Sequence, residues 1–583
     1  RLKGEGQNTQ GLGARIWLYN QEGVQRVDQM PGRGFQSSVS PVLHFGLGNS
    51  SKIDSLRITW QSGKTSLLKS VEGDHELILE ESAAAGSAVV TPQINSLYTE
   101  IPSSLPGTFS IEKVNDFKRQ PLLVNPLSAT GPCLVKVDFN RDGLEDIFEG
   151  ASGGKPATIY LQQKNGSFIK SFQPELDKDL GSQDADAVMF DANNDGYLDL
   201  YVCKGGYHQF ESEDSLLQDR LYLNDGSGRL ASQQSFLPSM RVSKSCVRMA
   251  DIDGDGDLDL FVGGRVIPGR YPETPESFLL INDGKGRFSN QIDKFCPELK
   301  RIGMVTDAAW TDMNNDKLPD LVVVGEWMPV LVFINGKQHL TNKTMDYFER
   351  QYNGWWNSLL CTDLNGDGRP DLVVGNLGLN TQCKVSEHKP AELYYKDFDH
   401  NGSIDPILCF YIGDTSYPYV SRDELLEQLT VMRTRFPDYN SYADARLENI
   451  FTPAELEGVK KLRADFLESA CFVSTGKQKY KLVPLPIQAQ FSPVFTINSG
   501  DYNKDGHPDL LFCGNMNSAR LRFGKYDANY GLIMSGDGQG NFKSMGQRQS
   551  GLHLRGDVRS VIKIGDRLIF GIGGAPPVVY KSR

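Results

Sequence analysis

Short apolar runs, each preceded and followed by a polar turn, recur along most of the chain. A typical run is Leu260-Phe261-Val262, which follows an acidic turn and precedes a turn rich in Gly, Asn and Asp. Runs this short, bounded by turn residues, predict strands rather than helices. From about residue 96 the strands fall into units of four, because a second turn such as 224–228 joins two further strands. The pattern therefore predicts an all-β repeat protein.

The spacing of the first turns sets the number of units. They begin at residues 138, 191, 251, 312 and 363, which are 51 to 61 residues apart. A turn at 397 follows only 34 residues later, the same distance that separates Asp191 from Asp225, so we place it in the second turn of the fifth unit. A sixth unit starts at Asp501, and a seventh, at 560–571, has no acidic turn. Seven four-stranded units predict a seven-bladed β-propeller, and counting the 397 turn separately gives eight as the alternative.

Other segments depart from this repeat. Residues 1–82 carry short strand-like runs and predict a small β-sandwich domain, and residues 83–95 predict a linker to a propeller domain over 96–583. The last unit shows three strands, so we expect its fourth from residues near 96–114. Residues 421–468 predict a helical insertion, because Ser421 and Thr452 both begin capping boxes ahead of apolar stripes.

The polar turns carry the candidate chemistry. Seven of them place Asp or Asn at positions 1, 3, 5 and 9, and six have Gly at position 6, where the chain must turn sharply; the loop at 312 has Lys317 there, and we rank it the weakest. Hard cations prefer six to eight oxygen ligands, and position 7 is expected to add its backbone carbonyl, as in an EF-hand. The candidate ligands are Asp138, Asn140, Asp142, Leu144, Asp146; Asp191, Asn193, Asp195, Tyr197, Asp199; Asp251, Asp253, Asp255, Asp257, Asp259; Asp312, Asn314, Asp316, Leu318, Asp320; Asp363, Asn365, Asp367, Arg369, Asp371; Asp397, Asp399, Asn401, Ser403, Asp405; and Asp501, Asn503, Asp505, His507, Asp509.

The net charge of −12 supports this interpretation. The seven loops hold 22 side-chain carboxylates at ligand positions, so seven Ca²⁺ ions would change the formal charge from −12 to +2. Carboxylates crowded into a turn repel one another until a cation neutralises them, so we expect up to seven structural calcium ions that contribute folding free energy. A catalytic metal would need an open coordination position beside a cleft, which the sequence does not indicate.

A second candidate set lies in the fifth unit. Paired tryptophans can stack on sugars or anchor protein partners, although more often such aromatics fill the gaps between units. The set comprises Asn353, Trp355, Trp356, Asn376 and Asn380. The sequence contains no HExxH, GxSxG or P-loop motif, no basic nucleic-acid stripe and no run of 18 apolar residues that would span a membrane. Nine cysteines without a CxxC pair indicate no disulfide framework, with one or two bridges left open.

Particular stretches resemble known families. Residues 11–15, 43–48 and 60–63 resemble the ASPIC/UnbV domain found in cartilage acidic protein and in bacterial surface proteins, although Gln61 stands where the family usually has proline. The propeller units resemble the FG-GAP/VCBS repeats of integrin α-subunits and of Bacteroidota surface proteins. This resemblance implies an extracellular protein at the outer-membrane surface, such as a lipoprotein beside a transport or assembly complex. Because the chain opens on Arg1, we expect a signal or lipid anchor upstream.

Together these patterns predict a non-enzymatic, calcium-stabilised cell-surface scaffold that binds a protein or glycan partner. The alternative from another class is a polysaccharide lyase or hydrolase that uses a propeller cleft, which turnover of a glycan would reveal. A third interpretation is a purely architectural subunit with one large apolar contact patch. We expect no nucleic-acid partner and no membrane-spanning segment.

Overall fold

The computed structural model describes residues 1–87, 95–107, 109–111, 114–476 and 479–583. The chain divides into two compact units, Arg1–Ile94 and Asn95–Arg583, each described here by itself. Of the predicted linker, 83–95, residues 88–94 lie outside the described residues, whereas Gly86–Ser87 is a strand of the first unit.

The first unit is built on one five-stranded antiparallel sheet. Its strands, in spatial order, are Gly23–Asp28, Arg15–Asn20, Lys52–Thr59, Lys64–Glu72 and Gly86–Ser87; Leu2–Lys3 pairs in parallel with Leu79–Glu80, and Glu81–Ala83 is a 3-10 turn. Alternate residues such as Ile16 and Leu18 are buried, as a sheet with one covered face requires. Loops carrying Leu43, Phe45 and Leu77 cover that face. The predicted sandwich therefore has a second layer made mainly of loops, because residues 31–48 are rich in Gly and Pro.

The second unit consists of four-stranded antiparallel sheets. Seven follow one another in the described part of this unit, and each has its strands in chain order apart from the last, which recruits its fourth strand from the start of the unit. They are sheet 1, Leu134–Val137, Asp146–Glu149, Thr158–Gln162, Phe168–Lys170; sheet 2, Asp184–Phe190, Asp199–Lys204, Arg220–Asn224, Leu230–Ser232; sheet 3, Ser243–Ala250, Asp259–Val266, Phe278–Asn282, Phe288–Asn290; sheet 4, Met304–Thr311, Asp320–Pro329, Leu331–Asn335, Leu340–Asn342, with Asn353–Trp355 also paired to its second strand; sheet 5, Ser358–Thr362, Asp371–Gly375, Ala470–Ser474, Tyr480–Val483; sheet 6, Val494–Gly500, Asp509–Gly514, Leu532–Gly536, Phe542–Ser544; and sheet 7, Val558–Ile564, Arg567–Ile572, Val578–Ser582, Tyr98–Ile101.

The sheets close into a cycle. The first strand of each sheet contacts the first strand of the next, and the first strand of sheet 7 contacts that of sheet 1. Sheet 7 is completed by Tyr98–Ile101, which pairs antiparallel with Val578–Ser582 in the register Tyr98↔Ser582 to Ile101↔Val579. This is the closing strand that the sequence predicted near 96–114. It joins the beginning of the unit to its end.

One apolar cluster lies between each pair of neighbouring sheets, and these clusters explain the apolar runs. In sheet 4, Leu321 and Val323 pack toward sheet 3, whereas Val322 and Val324 pack toward sheet 5. Successive side chains of a strand point to opposite faces, so a strand buried on both faces must be apolar at every position.

An eighth four-stranded sheet is inserted into sheet 5, between Gly375 and Ala470. Its strands, in spatial order, are Thr415–Pro418, Asp405–Ile412, Ala391–Lys396 and Lys460–Ala464, and we call it the inserted sheet. The 397 loop belongs to it, so the predicted second turn of the fifth unit is a whole additional sheet. Helical segments Arg422–Gln428, Thr430–Arg433, Tyr439–Tyr442 and Leu447–Ile450 cover one side of it.

The helical prediction for 421–468 is wrong in its second half. Ser421 does cap a helix, but residues 453–458 form only a turn and Lys460–Ala464 is an edge strand. The Thr452 capping box forms, with the Thr452 N–H donating to Glu455 at 2.6 Å. Gly458, at φ +72°, then redirects the chain before a second helical turn is added.

The remaining helical segments are single turns between strands. They are Asp116–Arg119, Pro174–Asp177, Ile292–Phe295, Thr344–Tyr347 and Gln547–Ser550, with 3-10 turns at Ser215–Leu217, Gln234–Phe236, Pro297–Arg301, Ile487–Gln490 and Leu521–Phe523. Among the described residues, no helix has the length and apolar character needed to cross a membrane. The nine cysteines are all unpaired thiols, and Cys361 alone is partly exposed.

Candidate metal centres

The seven acidic loops occupy equivalent hairpins. Six join the first and second strands of sheets 1 to 6, and the seventh joins Ala391–Lys396 to Asp405–Ile412 of the inserted sheet. The repeat in sequence is therefore a repeat in position. Sheet 7 has the short turn Gly565-Asp566 at the same place, without the acidic pattern.

Each loop is folded around its first aspartate. The N–H of position 6 donates to the carboxylate of position 1 at 2.7–3.1 Å in all seven loops. Position 6 has φ between +70° and +97°, a region that favours glycine. Lys317 adopts the same conformation at φ +70°, so the loop at 312 closes in the same way but with backbone strain.

The position-5 side chain holds position 7. Its Oδ1 accepts the N–H of position 7 at 2.7–2.9 Å in every loop. One oxygen of this side chain therefore accepts a hydrogen bond from the turn itself. The aspartates at this position keep a second carboxylate oxygen, whereas Asn401 has no other oxygen.

Position 9 has a role that the sequence did not reveal. All seven aspartates there are fully buried: Asp146, Asp199, Asp259, Asp320, Asp371, Asp405 and Asp509. One oxygen accepts the N–H of position 2 at 2.8–3.0 Å. In sheets 1 to 6 the other accepts a backbone N–H from the end of the third strand at 2.6–3.0 Å. Position 9 therefore connects each acidic loop to the third strand of its sheet.

In the inserted sheet a side chain replaces that third-strand donor. Gln428, at the end of the Arg422–Gln428 helix, donates through Nε2 to Asp405 Oδ1 at 2.7 Å. The acidic loop thus also positions the helical part of the insertion.

Burial of the position-9 carboxylates disfavours their charged form. Loss of solvation raises the pKa of Asp259 to about 7, and the pKa of Asp199, Asp320 and Asp405 to about 6, against the stabilising effect of the donated N–H groups. Neighbouring carboxylates of the same loop add to the rise by repulsion. A divalent cation beside these groups would remove both penalties.

Two loops bring three carboxylates together. Ligand oxygens of Asp251, Asp253 and Asp259 lie within 4.8 Å of one another, and so do those of Asp397, Asp399 and Asp405. These are positions 1, 3 and 9, and these two clusters can hold a metal ion. Asp399 Oδ1 is buried without a hydrogen-bond donor among the described residues, which a bound cation would satisfy.

Asparagine at position 3 behaves differently. Asn140, Asn193, Asn314 and Asn503 donate through Nδ2 to the position-5 aspartate at 2.7–3.1 Å. The amide therefore reduces repulsion inside the loop. In the loop at 397 the two residue types are exchanged, and Asn401 donates to Asp399 at 3.1 Å. The loop at 251 has aspartate at positions 1, 3, 5 and 9, so it carries the most carboxylate charge of the seven.

The candidate partner-contact set is mostly buried, which supports the gap-filling interpretation of the tryptophans and not the contact one. Trp356 is 0% exposed, donates through Nε1 to Tyr352 O at 3.1 Å and packs on Phe466. Trp355 and Asn376 are also buried, and the Asn376 side chain accepts the N–H of Trp355 at 3.2 Å. Trp356 lies in the apolar cluster between sheets 4 and 5, whereas Trp355 packs edge-on against Trp327 in a separate buried cluster.

The other two residues of the candidate partner-contact set, Asn353 and Asn380, do not form a common contact surface. Asn380 is exposed but donates to Phe491 O at 3.1 Å, and Asn353 is half-buried, with its carbonyl accepting two N–H groups from the inserted segment. The five residues therefore form no shared surface.

Replacing Trp356 with alanine is expected to destabilise the second unit by about 3–5 kcal/mol, because a large buried ring is removed. Denaturant unfolding measures the change in the free energy of unfolding. Phe172→Ala is the matched control, since Phe172 is 75% exposed and should change stability by less than about 0.5 kcal/mol. A Trp356→Ala chain as stable as the parent would contradict the packing role.

The sequence did not reveal the contacts made by the segment that leads from the closing strand to sheet 1. Gln120 is buried there, donates to Tyr271 O at 2.6 Å and Ile404 O at 2.8 Å, and accepts from the Tyr207 hydroxyl at 2.6 Å. This segment thereby ties sheets 2 and 3 to the inserted sheet. Its contacts are too distant in sequence for spacing to reveal them.

Comparison with family models identifies both kinds of module. Residues 4–86 match the family described as ASPIC and UnbV, and residues 138–202, 212–262 and 312–374 match the FG-GAP-like repeat. The chain therefore carries an ASPIC and UnbV domain followed by FG-GAP-like repeats, which confirms both resemblances. Together with the closed cycle of four-stranded sheets, the repeats support a β-propeller.

Solved structures share a distant likeness. The chain is similar to the V. cholerae biofilm matrix protein Bap1 (12% identity, 82% of this chain and 90% of that chain, TM-score 0.32). It is also similar to the Dos1 propeller (10% identity, 81% and 95%, TM-score 0.34) and to YCF48 bound to D1 peptide (8% identity, 82% and 99%, TM-score 0.36). The strand order of the sheets and the FG-GAP-like repeats define the fold of the second unit, and these distant structures add nothing to it.

Proposed function

We propose that the chain is a calcium-stabilised, non-enzymatic binding scaffold displayed outside the cell and built on a seven-bladed propeller. The count of seven is supported by the cycle of first-strand contacts, in which the inserted sheet takes no place. The observation that carries the proposal is the recurrence of one acidic loop at the same hairpin, each with a fully buried position-9 aspartate.

Calcium is the cation that suits these loops. Their donors are carboxylate, amide and carbonyl oxygens, which calcium binds at about 2.3–2.6 Å, and FG-GAP-like repeats often bind calcium. We assign up to seven ions, one to each loop, with the Asp251 and Asp397 loops as the first two. Millimolar calcium outside the cell fills sites of modest affinity that the cytosol would leave empty, which supports an extracellular or outer-membrane-surface location.

A binding role is favoured over glycan cleavage by the charged groups on the axis of the cycle. Asp186 and Asp307 line the axial cavity, and Arg248 forms ion pairs with both. An acid–base pair for hydrolysis needs carboxylates free to exchange protons with a substrate. These two are committed to the arginine, so the polysaccharide lyase or hydrolase remains the second candidate.

The partner we propose is a protein or glycan at the cell surface, with an outer-membrane transport or assembly complex as one setting. The inserted sheet and its helices add a surface to one sheet that the other six lack. We propose that the partner binds to the inserted sheet and its helices.

The test is recovery of a partner from solubilised membranes by the calcium-loaded chain. A matched chain, in which residues 376–469 are replaced by a short hairpin turn joining Gly375 to Ala470, is the control. Calcium-dependent recovery that needs the insertion supports the proposal. Equal recovery by both chains, or turnover of a glycan by the purified protein, would overturn it in favour of another surface or of the enzyme.

A further inference from the structure

A cavity of about 220 Å³ lies on the axis of the sheet cycle. First strands of several sheets line it, through Asp186 of sheet 2, Arg248 of sheet 3, Asp307 of sheet 4 and Arg559 of sheet 7. Four charged side chains from four sheets therefore meet at one place. Bringing charged side chains together away from water costs desolvation free energy unless each charge has an opposite partner or hydrogen bonds.

The carboxylates in this cavity are fully used. Arg248 pairs with Asp186 and Asp307 together, and it donates to Ala308 O at 2.8 Å. Asp307 also accepts backbone N–H groups from Ala308 and Leu359, both at 2.8 Å. Asp186 likewise accepts N–H groups from its neighbours on sheets 2 and 3. This triad satisfies itself and offers little to a ligand.

Arg559 is in the opposite situation. Its side chain is 7% exposed, and Nε and Nη1 donate to backbone carbonyls, including Asn515 O at 3.0 Å. Among the described residues Nη2 has no hydrogen-bond acceptor. It forms a long ion pair with Asp557 at 3.7 Å, and the guanidinium lies over the Phe495 ring, 3.9 Å from the ring centroid. Asp557 is itself engaged by Asn517 through both the backbone N–H, at 3.0 Å, and the side-chain amide. Burial lowers the pKa of the Arg559 guanidinium, as expected for a poorly compensated cation.

Two further donors line the same cavity. Arg265 pairs with Glu326 through Nη2, while its Nη1 is buried with no acceptor in the described part of the chain. Asn357 lines the cavity as well, and the structure gives its side-chain amide no protein partner among the described residues. The cavity therefore holds unused N–H donors and carboxylates that are already satisfied.

We propose that this axial cavity binds a small oxyanion, held by Arg559 with Arg265 and Asn357 as further donors. Guanidinium groups match phosphate, sulfate and carboxylate oxygens in geometry and charge. The cavity has room for an inorganic oxyanion or a small dicarboxylate beside these donors. The site is independent of calcium and of the proposed surface partner.

The experiment is calorimetric titration of the full chain with phosphate, sulfate and malonate, at constant ionic strength and in the presence of calcium. We expect binding of one oxyanion per chain and a rise in melting temperature. Arg559→Gln is expected to weaken binding roughly tenfold or more, because a charged donor is lost. Arg555→Gln is the matched control, since Arg555 is exposed four residues earlier and should leave affinity unchanged.

A second variant acts in the opposite direction. Asp557→Asn removes the one carboxylate near Arg559 and keeps an acceptor for Asn517, so we expect tighter oxyanion binding. Preference for phosphate or sulfate over malonate would identify an inorganic ion, and the reverse a carboxylate metabolite; both support the site. Absence of binding by all three probes at millimolar concentration overturns it. So does unchanged affinity in Asp557→Asn, a result that remains informative if Arg559→Gln fails to fold.

Discussion

Chelation of calcium is expected to lower the melting temperature of the second unit by roughly 10–20 °C, and added calcium should restore it. Each loop gathers carboxylates around a buried position-9 aspartate, and without a cation their repulsion acts against the folded hairpin. In the proposed calcium-loaded state, each occupied loop would add its free energy of ion binding to folding. Differential scanning calorimetry with and without chelator measures the shift.

Single loops provide the controls for this result. Asp251→Asn and Asp397→Asn should each remove one bound ion and reduce the chelator-sensitive shift by about one seventh. Asp566→Asn changes an exposed aspartate at the equivalent hairpin of sheet 7, where its pair with Lys581 at 3.3 Å is solvent-exposed and contributes little. A melting temperature that chelator leaves unchanged would contradict metal binding at these loops.

Removal of the closing strand is expected to have the second large effect. A chain that begins at Pro102 lacks Tyr98–Ile101, so the third strand of sheet 7 becomes an unpaired edge. The buried Tyr98 ring, which packs edge-on against Tyr502, is lost together with the ladder hydrogen bonds. We expect a loss of about 5 kcal/mol of stability and a tendency to self-associate through the exposed edge.

The matched control is a chain that begins at Asn95. It also lacks the first unit but retains the closing strand, so it should unfold like the second unit of the parent chain in denaturant titrations. Equal stability of the two shortened chains would show that sheet 7 does not need Tyr98–Ile101.

The repeated sheets of this fold can be recognised in the sequence because the apolar strand runs and the acidic turns recur together at a regular spacing. Leu321-Val322-Val323-Val324 must be apolar throughout, since its side chains enter two clusters in alternation. The acidic loops are visible because their spacing repeats, and position 6 reveals the turn through its glycine. The fold class and the positions of the acidic loops between strands could therefore be predicted from the sequence.

The inserted sheet could not be predicted in the same way. Its edge strand, Lys460–Ala464, is mostly polar and exposed, and it follows a capping box that resembles a helix start. Edge strands tolerate such residues because one side has no partner. Local pattern favoured a helix here, and pairing with Ala391–Lys396 decided the outcome.

Features that depend on several sheets lie beyond sequence patterns. The second role of Asp259 requires Asn282, 23 residues away, to bring its N–H to the carboxylate. On sequence alone Trp356 fits either a contact surface or the core, because paired aromatics occur in both. Only its burial in the structure identifies it as a core residue. The axial cavity joins Arg248 and Arg559, whose proximity follows from closure of the cycle alone.

The junction of the inserted sheet makes sheet 5 tolerant of insertions. Val374 pairs directly with Ala470, so the two ends of a ninety-residue excursion emerge side by side from neighbouring strands. Exchange of that excursion for another, or for a tight turn, leaves the host ladder from Leu372↔Phe472 onward in register. The host sheet can thus accept segments of different length at this point without a shift of strand register.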